Sequence, residues 1–99
     1  ILVPEYQDVV LFGEEDEVGR SVERVQTGIR LEKRLLKVLK GLAEHLDMSV
    51  GDLIEGMALH AFDNKLPFGE DTLGKIAKLK EVYDLDLSAT DSHTLEETS

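Results

Sequence analysis

Apolar and polar positions follow two different rhythms along this chain, and the rhythm changes near residue 32. From Arg24 to Leu31, written RVQTGIRL, Val25, Thr27 and Ile29 alternate with Gln26, Gly28 and Arg30. Period two predicts a strand with one buried face, and Leu31 continues the inward set. From Lys33 to Leu46 the apolar residues are Leu35, Leu36, Val38, Leu39, Leu42, Ala43 and Leu46, which share one stripe of an α-helix. Lys33, Arg34, Lys37, Lys40 and Glu44 lie largely off that stripe. Gly41 within it costs about 1 kcal/mol relative to alanine.

Ser49-Val50-Gly51-Asp52 reads as a capping box, in which the Ser49 hydroxyl accepts the Asp52 amide and the Asp52 carboxylate reaches back. The second helix it opens carries Val50, Leu53, Ile54, Met57, Ala58, Ala61 and Phe62, and ends near Asp63-Asn64. Gly56 on this helix predicts close approach of another backbone. Leu66-Pro67-Phe68-Gly69 breaks the chain. A third, weaker helix is predicted from about Asp71 to Tyr83, and Asp84 to Leu87 as a brief extended piece. Upstream, Ile1 to Phe12 reads as an extended arm, and Glu14-Glu15-Asp16-Glu17 as a solvated link.

The predicted organisation has four parts. Residues 1–22 are the arm and acidic link, 23–63 a core, 64–87 a C-terminal helical extension, and 88–99 a disordered polar tail. A lone strand leaves its backbone groups unpaired, and no neighbouring segment offers a partner. The same segment from a second copy is the economical partner, so a homodimer is expected, and folding is expected to need it.

Strand, short turn, helix, tight turn, capped second helix: over Arg24 to Phe62 this order resembles the ribbon-helix-helix family, which includes the Arc-like and methionine-type repressors and many bacterial antitoxins. TGIRLEKRLLKVLKGLAEHL and MSVGDLIEGMALHAF carry the resemblance, with Ser49, Val50, Leu53 and Ile54 at the places of the family's cap and first apolar residues. It implies a mainly α fold with one short strand. Two chains would form an intertwined homodimer through an intermolecular antiparallel two-stranded ribbon, and a third C-terminal helix would be added. It also implies a ribbon laid in the DNA major groove. By position, Gln26, Gly28 and Arg30 would contact bases, while Arg24 and the amides of Ser49, Val50 and Gly51 would contact phosphate. Gly28 departs from the family pattern because it has no side chain to read a base, and Thr27 is less apolar than usual for an inward position.

Charge changes the weight of that expectation. The formal net charge is -10, which speaks against non-specific binding to nucleic acid. Residues 20–40, however, hold seven bases (Arg20, Arg24, Arg30, Lys33, Arg34, Lys37 and Lys40) against Glu23 and Glu32. Two functions follow as expectations. The first is a homodimeric DNA-binding protein, a bacterial transcriptional regulator reading double-stranded DNA. The alternative is a dimerisation or protein-interaction module, antitoxin-like or an adaptor, with weak or no DNA binding. Its protein partner would use residues 1–12 or 66–99.

Other chemistry is thin. No cysteine is present, so disulfides and thiolate metal sites are excluded. His45, His60 and His93 lack metal-ligand spacing, and no nucleophile–base pair, nucleotide loop or carboxylate pair is visible. The chain is therefore not expected to be an enzyme, and no catalytic residue, metal site or cofactor is expected. Apolar runs such as Val9 to Phe12 are too short to cross a bilayer, and a cytoplasmic location is expected. The sequence opens on Ile1 rather than Met, so at least one residue is expected to be missing, and no signal-peptide pattern is visible.

Overall fold

Glu32 opens the first helix: its carboxylate accepts the Leu35 amide at 2.9 Å, taking up one of the amides a helix start leaves unpaired. The computed structural model describes residues 20–98. Three helices follow in order, α1 (Lys33–His45), α2 (Val50–Phe62) and α3 (Glu70–Val82). The arm at 1–12 and the acidic link lie outside the described residues. As the sequence predicts, α2 begins at Ser49, whose hydroxyl accepts the Asp52 amide at 3.0 Å. The tail carries a 3-10 turn at Ala89–Asp91, closed by reciprocal bonds between Ser88 and Asp91.

All three helices end in the same way. Asp47, Asn64 and Asp84 each adopt a left-handed backbone, with φ of 57°, 57° and 56°. Around each, two amides return to the last turn, for example Met48 to Ala43 at 3.0 Å and Asp47 to Glu44 at 3.2 Å. The pairs Lys65–His60 and Asn64–Ala61, and Leu85–Lys80 and Asp84–Glu81, repeat the motif. This is the Schellman arrangement, usually built on glycine; aspartate and asparagine are the side chains that best tolerate the left-handed region. Asn64→Val should therefore lower stability by about 1–2 kcal/mol, since a β-branched residue is strained at this φ. Urea denaturation of the two proteins checks it.

Leu39, Leu42, Ala43 and Leu53 form the buried cluster, with Leu46, Met48, Val50, Met57, Phe68, Ile76 and Leu79 packed around it. The two sulfur side chains act as apolar fillers. α1 is the central element, touching both α2 and α3. Gly41 lies against α3: a Cβ there would stand 2.9 Å from Leu79 Cδ2, so a larger residue would require that side chain to shift. The close backbone approach expected at Gly56 is not found, since Gly56 faces open space; what lies close to Gly41 is the Leu79 side chain.

The fold expectation needs correction. Among the described residues the protein is all-helical, with three helices and no strand, so the ribbon of the ribbon-helix-helix fold is not formed. Residues 20–31 have no regular structure and every one is exposed. Their backbone groups make no hydrogen bond to other backbone among the described residues. β-Propensity reports how well a side chain fits a half-buried pleated surface, and this segment has no such surface to fit. The third helix supplies the other half of the reason. Its weak pattern predicts a mere extension, yet Ile76 and Leu79 cover part of the α1 stripe that a second chain was expected to cover.

Candidate interaction surface

Three arginines of the segment around 20–34 make charge contacts with the rest of the described chain. Arg24 donates from Nε and Nη2 to the two carboxylate oxygens of Glu55, each at 3.0 Å, and its Nη2 lies 4.0 Å from Asp52. This two-pronged geometry is the strongest form of arginine–carboxylate contact. Arg30 pairs with Glu97 in the tail. Arg34 binds Glu32 at 3.0 Å, the Asp84 carbonyl at 2.8 Å and Asp86 at 3.0 Å, tying the start of α1 to the chain that leaves α3. Next to it, Lys37 Nζ stands 5.9 Å from the centre of the Tyr83 ring, within cation–π range.

The Arg24 contact holds the Glu55 carboxyl below its ordinary value of 4.5. Glu32 is lowered too, first by the Leu35 amide and then by Arg34. Both carboxylates are bound only when ionised. The stability they contribute is present in full above pH 4.5 and disappears as pH falls through their depressed values. Glu55 is exposed and Glu32 partly so, and solvent screening keeps each contribution small.

The expected DNA-contact residues divide into two groups. Gln26, Gly28 and Arg30 lie on the exposed segment, Gly28 in open space, and Arg30 is engaged by Glu97. Arg24 is brought toward the first turn of α2, where Ser49, Val50 and Gly51 stand. What Arg24 meets there is Asp52 and Glu55, which present negative charge where phosphate was expected. His60 is half-buried on α2, with Nδ1–H donating to the Gly56 carbonyl at 2.7 Å.

Another feature of α2 is missing from the stripe read off the sequence. Val50, Leu53, Ile54, Met57, Ala58, Leu59, Ala61 and Phe62 spread apolar character around most of its circumference, which is the pattern of an enclosed helix. Only Leu53 is buried. Leu59 is 65% exposed, Phe62 83% and the following Leu66 89%. Asp52, Glu55, Leu59 and Phe62 are spaced three, four and three residues apart, so they share one face, away from the side that buries Leu53. That face is acidic toward its N-terminal end and apolar toward its C-terminal end.

No protein-family model matches the chain, and no curated protein or solved structure matches it. Among the described residues, no helix is long and apolar enough to cross a membrane.

Proposed function

We propose that this chain is a self-associating protein-interaction module, in which the outer face of α2 meets a second copy. The observation that carries this reading is the exposure of Leu59 and Phe62 on a helix whose sequence is apolar nearly all round. Isolated exposed leucines are ordinary, but neighbouring large apolar groups on one helix face mark an interaction site. A second copy fits by charge as well. Each copy carries a formal net charge of -10, which opposes association, but residues 20–40 are basic and residues 41–99 acidic, so an orientation that sets one against the other pairs opposite charges.

DNA binding is the second reading, favoured by the exposure of Gln26 and Arg30 and by the openness of the arginine ion pairs to competing phosphate. The two readings separate when the chain is incubated with sheared genomic DNA at low salt, beside an Arg30→Ala control. The interaction reading expects a dimeric protein that enriches no discrete sites. Enriched sites that vanish with Arg30→Ala would overturn it in favour of DNA recognition.

A further inference from the structure

The segment 20–31 is held to its own body by little apolar contact. Val22 is 65% exposed, Val25 78% and Ile29 64%. What fixes it are side-chain ion pairs, Arg24 to Glu55 and Asp52, and Arg30 to Glu97. Exposed pairs of this kind contribute little by themselves. We infer that residues 20–31 exchange between two copies, so that Arg24 of each chain docks on Glu55 and Asp52 of the other; this rests on the self-association proposed above.

Three features carry the inference. The ion pairs are reproduced unchanged when the carboxylates come from a second copy, so exchange forfeits no polar contact, the usual condition for swapping an element between identical chains. Exchange also brings the second copy to the face the single chain leaves open. Glu55, Leu59 and Phe62 lie on one face of α2, and Leu59 and Phe62 stay exposed while Arg24 is docked within one chain. An arm arriving from a second copy ties that copy's body beside the same apolar end. Finally, the reach is sufficient. The chain from Arg24 to Lys33 spans at most about 30 Å when extended, enough to cross to a neighbour.

Charge reversal with mixing tests the exchange directly. Arg24→Glu and Glu55→Arg are prepared separately, together with the double variant, and circular dichroism verifies that each keeps its helix content. Sedimentation equilibrium then compares each single variant, their equimolar mixture and the wild type. Each single variant is expected to associate at least about 10-fold more weakly than wild type, since like charges now face each other. The mixture is expected to recover most of that loss. In it, the introduced glutamate of one chain meets the introduced arginine of the other, while the native Arg24 and Glu55 meet at the second site. Singles that dimerise as tightly as wild type would overturn the exchange and leave self-association standing. So would a mixture no tighter than the singles beside a fully restored double variant, since that places the pair within one chain. A wild-type chain that stays monomeric would overturn the exchange and self-association together.

Discussion

Truncating Leu42 to alanine should destabilise the protein by about 2–5 kcal/mol, the usual range for emptying a leucine site in a packed core. Leu42 is 2% exposed and sits on α1, the helix that contacts both of the others. Among the described residues few others are comparably enclosed: the buried apolar set is Val38, Leu39, Leu42, Ala43, Leu53 and Leu85. With so small a core the chain has little stability in reserve, and the loss is of the same order as the whole. Thermal unfolding should show a fall in Tm on the order of 10–30 °C. An unchanged Tm would mean that the three helices do not share the core described. If a second copy binds the folded chain, as proposed, the wild-type midpoint should also rise with protein concentration.

Phe62→Asp is expected to do the opposite, sparing the fold while breaking the assembly. Phe62 is 83% exposed in the single chain, and substitutions at such positions usually change stability by less than about 0.5 kcal/mol. A large aromatic side chain at the centre of an interface behaves differently. Its replacement by a charge removes an anchor and adds a desolvation cost, so the dissociation constant should rise on the order of 10- to 100-fold. Helix content and the dilute-limit melting temperature should remain those of the wild type. A variant that unfolds would place Phe62 in the core of the single chain and remove the open face of α2.

The helices were legible because each announces itself locally. The stripe from Leu35 to Leu46 and the Ser49 cap mark α1 and the start of α2 to within a residue, and α3 begins one residue before its expected position. Their ends were read to within a residue or two, at Leu46, Asp63-Asn64 and Tyr83, but the left-handed turns that close them were not, since Asp47, Asn64 and Asp84 stand where glycine would have given them away. The strand was misread for a physical reason. Val25, Thr27 and Ile29 alternate correctly, but alternation describes a segment ready for a pleated surface and cannot supply one. The contribution of α3 was hidden because Ile76 and Leu79 are few and spread among charges, and no local pattern shows that they pack on α1.

The basic island at 20–40 shows the same limit from the electrostatic side. In sequence it is a block of seven bases opposed only by Glu23 and Glu32. In the fold, Arg24, Arg30 and Arg34 each meet an acid: Glu55 and Asp52, Glu97, and Asp86. Arg24 and Glu55 are 31 residues apart, and no local pattern joins them. Leu59 was legible in principle, because it breaks the single stripe otherwise seen on α2 and widens the apolar arc past what one core contact uses.

Sedimentation equilibrium of the wild-type chain from about 1 to 100 µM, with Phe62→Asp run in parallel, is the most direct test of self-association through α2. The expected result is a mass that climbs from monomer to dimer in the wild type, with the same climb displaced to higher concentration in the variant. A wild-type mass that remains that of one chain throughout would contradict it.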